Sequence, residues 1–145
     1  MKVQATVRNR ANQHQVVLST NDQAHTLDIP PRASGFGSSA NGGELLFLAL
    51  ATCYCNDIYR EAGKRGIQVE GVEVEVLGDF GAEGEPARNI RYRAKVTAQA
   101  GEQSIRELMQ ATDRLAEIQN TLRLGLPVEL EGIEIASKQK AGATS

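Results

Sequence analysis

The longest apolar stretch of the chain lies within residues 42–57 and carries both cysteines, Cys53 and Cys55. From Leu45 to Cys55 only Thr52 breaks the apolar run, whereas Asp57, Arg60, Glu61 and Lys64 follow soon after. Asn41 suits an N-cap, Glu44 falls in the first turn where a carboxylate favours the positive end of the helix dipole, and Gly66 is a stop signal. The pattern therefore predicts one helix ending at about Lys64, apolar all round in its first half. Such a helix must be covered on every side. One small sheet cannot do that alone, so the stretch points to a helix held between a sheet and a second protomer.

The rest of the chain narrows the setting. At 145 residues it is the size of a single domain. A net charge of -2 with scattered Lys and Arg gives no footprint for nucleic acid or anionic lipid, and neither partner is expected. The apolar run is too short to span a bilayer, and the opening residues alternate like a strand without the apolar core of a secretory signal. A cytoplasmic protein with reduced thiols is the expectation. His14 and His25 stand far from the cysteines without metal-ligand spacing, so no metal site is expected, and no cofactor is indicated.

Strands are predicted over 3–8, 15–20 and 24–29, separated by turn residues, as an antiparallel meander. A loop dense in Pro, Gly and Ser follows over 30–41. After the long helix, Val72, Val74 and Val76 alternate with Glu73 and Glu75, while Tyr92, Ala94 and Val96 alternate with Arg91, Arg93 and Lys95. This predicts a hairpin with acidic and basic rows on its solvated face, and a bulge at Gly71. Ile105, Leu108, Met109, Thr112 and Leu115 recur at helical spacing over 102–115, with Met109 read as core. A short helix closed by Gly125 and a last strand over 126–136, bulged at Gly132, complete the reading. The domain is placed at 1–136, and the small, polar tail 137–145 is expected to be disordered.

Two segments carry a resemblance. Glu44-Leu45-Leu46 opening an Ala-rich helix that ends in Cys53 is similar to the central helix of the OsmC/Ohr superfamily. Gln119-Asn120-Thr121-Leu122-Arg123, followed by Gly125 and Pro127-Val128, resembles that superfamily's Ser-Asn-Thr-Leu-Arg, Gly and Pro-Val segment. The order of elements agrees as well. The resemblance implies an α+β fold, with antiparallel sheets around a long central hydrophobic helix, assembled as an intertwined homodimer.

In the peroxide-reducing members a thiolate at the Cys53 position attacks the peroxide and becomes a sulfenic acid, which a second cysteine captures as a disulfide. Here Ala116 stands at that second position. Cys55 cannot substitute without unwinding the helix, because residues two apart point about 200° away from each other, and it is read as structural. Burial alone would leave Cys53 inert, so a cation is needed. The resemblance implies an arginine from the loop after the first strand, and Arg10 fits best, with Arg8 and Arg32 as competitors. The family's orienting glutamate falls at Gly43, one residue before Glu44, and Glu44 is read as stabilising the helix start.

Two functions are carried forward. One is an oxidative-stress protein reducing small hydroperoxides through Cys53 and Arg10 with an external thiol as reductant. The other is a non-catalytic stress-related protein that binds a small apolar ligand at the dimer interface.

Overall fold

Burial of one row of the long helix against a twisted hairpin organises the fold. The computed structural model describes residues 1–138. The elements run β1 (Val3–Arg10), β2 (Gln13–Thr20), β3 (Gln23–Thr26), α1 (Gly42–Arg65), β4 (Gln68–Asp79), β5 (Arg88–Gln99), α2 (Glu102–Leu115) and α3 (Glu117–Leu124). β1–β3 form one antiparallel sheet and β4–β5 a second. This is the α+β architecture that the sequence patterns predict.

α1 begins with a capping box. Asn41 Oδ1 accepts from the Glu44 backbone N–H at 2.8 Å, and Glu44 Oε1 accepts from the Asn41 N–H at 2.9 Å. Gly66 closes the helix in the left-handed conformation, φ 64°. Leu50, Tyr54, Ile58 and Ala62, four residues apart, are buried in a row. Tyr54, Ile58 and Ala62 join Leu108 of α2 in the core, and Val72, Val74, Tyr92, Ala94 and Val96 pack against them. Met109 also packs on this cluster, as the spacing predicts, and its carbonyl accepts the Tyr54 hydroxyl at 2.9 Å.

The hairpin follows its predicted rows. Val72 faces Val96 and Val74 faces Ala94, while Glu73 faces Lys95 and Glu75 faces Arg93. Arg93 Nε and Glu75 Oε2 are 3.0 Å apart. The register slips between Val69 and Gly71, at the predicted bulge, and again between Leu77 and Asp79.

Two differences from the sequence expectation stand out. β3 stops at Thr26 instead of continuing to Ile29, and the chain then turns into Pro30-Pro31, which lack the N–H groups a sheet needs. The last predicted strand is absent: 126–138 has no regular structure, and Val128 and Leu130 are 98 % and 83 % exposed. A strand gains its hydrogen bonds and burial from a neighbour, and among the described residues no strand pairs with 126–136. The bulge expected at Gly132 falls with it. From residue 139 onward, the tail expected to be disordered lies outside the described residues.

Ile58 and Leu108 are fully buried. Ile58→Ala should cost about 2–5 kcal/mol in urea unfolding. The exposed Leu130→Ala should change the stability of an isolated chain by well under that.

Candidate functional site

The face of α1 next to its buried row carries Cys53, Asp57 and Arg60, spaced to lie along one side of the helix. α3 closes over them. Its position is fixed by an elbow at Ala116, which ends α2, caps α3 and is completely buried. Three polar contacts pin that elbow. Gln119 Nε2 donates to the Leu50 carbonyl at 2.9 Å, Asn120 Nδ2 donates to the Arg114 carbonyl at 3.0 Å, and Arg123 reaches Asp113 at 2.7 Å. Asp113 also accepts the Tyr92 hydroxyl, tying the elbow to β5.

This placement brings Glu117 onto Cys53. The Cys53 Sγ lies 3.7 Å from Asp57 Oδ2 and 3.7 Å from Glu117 Oε2. Arg60 spans the far side of the same carboxylates, with Nη1 at 3.1 Å from Asp57 Oδ1 and 2.9 Å from Glu117 Oε1. Its Nε reaches Glu61 at 3.0 Å, and Lys64 and Arg65 also converge on Glu61.

Burial pushes the Cys53 thiol above its ordinary pKa, and the two carboxylates add to the shift. The Ile118 backbone N–H, in the first turn of α3, opposes them by hydrogen bonding to the sulfur. Asp57 is pushed up to about 6, first by burial and then by Glu117, whereas Glu117 is held well below the carboxylate range by its contacts with Asp57 and Arg60. The carboxyl groups act as a pair in which Asp57 retains a proton more readily. Sulfur and carboxylate atoms of Cys53, Asp57 and Glu117 all lie within 4.8 Å, so these three could hold a metal ion by distance. Arg60 already supplies a positive charge to both carboxylates.

The two site residues drawn from sequence lie in different parts of one chain. Cys53 is partly exposed beside the acidic pair. Arg10 ends β1, opposite Gln13, and lines an open cavity of about 700 Å³ with Arg8, His14 and Asp28. Arg32 belongs to the loop, where its Nε donates to the Ser38 carbonyl. Among the described residues of one chain, no hydrogen bond or ion pair joins any of these arginines to Cys53. Cys55 is a free thiol like Cys53.

Gly43 has a steric reason. A Cβ there would come within 2.8 Å of the Phe80 ring, which packs beside Phe47 at a centroid separation of 5.9 Å. Phe80 thus fills the space around the position where the resemblance implies an orienting glutamate. Asp57, Arg60 and Glu117 are what the sequence reading missed. The i, i+4, i+7 spacing of Cys53, Asp57 and Arg60 was a usable signal. Nothing local to Glu117 could have revealed its role.

An α+β fold that sets a partly exposed helix thiol against the start of a short helix defines a class of thiol-bearing proteins. The chain belongs to the OsmC-like protein family, whose profile matches residues 35–131. Its fold is similar to that of an OsmC-like protein from Mycoplasma pneumoniae, with 20% identity, TM-score 0.57, and 84% of this chain and 86% of that chain covered. An organic hydroperoxide resistance protein OsmC from Legionella pneumophila aligns at 19% identity and TM-score 0.54 over 85% and 90% of the two chains. The organic hydroperoxide resistance protein OhrB of Bacillus subtilis aligns at 15% identity and TM-score 0.52 over 85% and 91%. At these identities the likeness is one of fold. No curated protein matches the chain.

The carboxylates give opposite pH effects. Asp57, raised in the fold, holds its proton more tightly than in the unfolded chain, so the stability linked to it is present below about pH 4 and is lost as pH rises through about 6. Glu61, lowered to about 2 by Lys64, Arg60 and Arg65, gives stability above its unfolded pKa that is lost as pH falls toward 2. In thermal melts across this range, Asp57→Asn should flatten the decline between about pH 4 and 6, and Glu61→Gln should lower Tm at neutral pH.

Proposed function

We propose that this protein is an oxidative-stress protein of the cytoplasm that reduces small organic hydroperoxides through Cys53, working as a homodimer with an external thiol as reductant. The observation that carries the reading is a partly exposed thiol, at the end of the apolar half of α1, with a carboxylate oxygen from each of two elements 3.7 Å from its sulfur. Family membership and the hydroperoxide resistance proteins among its structural neighbours support the same chemistry.

The dimer supplies what one chain lacks. Leu48 of α1 is 54 % exposed, Val3 and Val7 of β1 are exposed, and so are Leu126, Val128, Leu130, Ile133 and Ile135. Exposed apolar side chains on three segments suit burial against a second copy. On this reading a second copy laid across α1 covers these residues, and Arg10 completes the thiol site in the assembly. That guanidinium offsets the acidic pair, lowers the thiol pKa and polarises the O–O bond.

A second reading, binding of a small apolar ligand without turnover, draws on two observations. Cys53 is held as a thiol within one chain, and a cavity of about 420 Å³ opens beside α3, lined by Leu50, Ile90, Tyr92 and Leu122 with Arg91, Gln119 and Arg123 among them.

Brief exposure to cumene hydroperoxide with a sulfenate trap, read by intact-protein mass spectrometry, separates these readings. Wild type and Cys55→Ser should gain the adduct and Cys53→Ser should not. Absence of an adduct from wild type would favour ligand binding. Ala116 directly precedes Glu117, which touches Cys53, so Ala116→Cys should raise peroxide turnover with a dithiol reductant several-fold. An unchanged rate would leave recovery to the external thiol, and no turnover in either protein would mean that the site does not perform this chemistry.

A further inference from the structure

We propose that Asp57 and Glu117 act as a proton relay for Cys53, taking the thiol proton and returning a proton to the leaving oxygen of the peroxide. The inference rests on the reading of Cys53 as the reactive thiol and assigns a route for its proton. Three features of the geometry support it. Each carboxylate places an oxygen 3.7 Å from Sγ, so both reach the atom that reacts. Arg60 ties their other oxygens together, at 3.1 and 2.9 Å, and holds the pair in one orientation. Asp57 is 6 % exposed while the Glu117 side chain is 61 % exposed, so one member is sheltered from water and the other is open to it.

The step balances. A sulfur lone pair attacks the terminal oxygen of R–O–O–H, and the O–O bond breaks with its electrons on the RO fragment. The S–H proton passes to the carboxylate pair, and a proton from the pair reaches the RO oxygen to give ROH. Cys53 leaves as a sulfenic acid, sulfur having lost two electrons and the peroxide having gained them. An external thiol then reduces the sulfenic acid through a mixed disulfide. Within one chain the charged groups around the relay are Asp57, Arg60 and Glu61 from α1 and Glu117 from α3, with the Ile118 N–H on the sulfur, and the proposed dimer adds Arg10. Excess negative charge beside a thiol suppresses the thiolate, so these carboxylates favour reaction by accepting its proton during attack, as a general base.

This assignment differs in sign from a purely electrostatic role. The rate of Cys53 alkylation by iodoacetamide, followed from pH 5 to 10 in a Cys55→Ser background, reads thiol reactivity without peroxide. With a relay, the reference protein reacts at neutral pH faster than its thiolate titration allows. Glu117→Gln and Asp57→Asn should then slow alkylation at pH 7 by on the order of a hundredfold, with the rate rising a decade per pH unit toward the thiol pKa. If the carboxylates only repel the thiolate, both variants will react faster at pH 7, and an unchanged or faster rate overturns the relay. The exposed Glu117 makes Glu117→Gln informative even if Asp57→Asn folds poorly. Rapid alkylation without sulfenate formation would instead count against peroxide reduction, leaving the relay to be judged from the alkylation profile.

Discussion

Everything in this molecule depends on α1 presenting two different faces to its own chain. The row Leu50, Tyr54, Ile58 and Ala62 is buried, and its lower three residues form the core with the hairpin and Leu108. A neighbouring stripe, Cys53, Asp57 and Arg60, is left for α3 to cover. Because both faces belong to one stiff helix, packing that seats Tyr54 and Ile58 also sets where the thiol points. The core and the site are therefore one mechanical unit. The Tyr54 hydroxyl on the Met109 carbonyl and the Tyr92–Asp113–Arg123 chain tie it to α2 and the elbow.

The site is polar where it meets α3 and apolar along much of α1. Desolvation and paired carboxylates hold the thiol protonated, while the first turn of α3 pulls the other way. Ala116 is buried at the elbow beside the site, and Phe80 lies against Gly43 in the first turn of α1. The charge pattern at this sulfur is set by Asp57, Arg60 and Glu117. Its cations lie on the far side of the carboxylates, and the uncovered apolar surface of α1, β1 and 126–136 marks where further groups would have to enter.

Much of the fold was legible because its determinants are local. Asn41 and Glu44 announce the start of α1, Gly66 its end, and alternating valines set the face of β4. The bulge at Gly71 was readable from a break in that alternation. The segment 126–136 misled for a physical reason: its alternating residues record a preference for strand pairing, and pairing requires a neighbour that no local pattern supplies. The site was legible only in part. Cys53 emerged from its helix and from the family resemblance, whereas Asp57 and Arg60 looked like the solvated end of an amphipathic helix.

By itself the sequence determined the helices, most strands and the caps of α1, since each follows from hydrogen-bonding and burial preferences acting over a few residues, and it singled out Cys53 as the candidate thiol. Only the tertiary structure decided what surrounds that thiol. Glu117 lies 64 positions from Cys53, and the elbow at Ala116 brings it within 3.7 Å because Gln119 anchors α3 to α1 while Asn120 and Arg123 anchor it to α2. Charge interactions depend on distance in space, so a carboxylate remote in the chain helps to set the protonation of the sulfur.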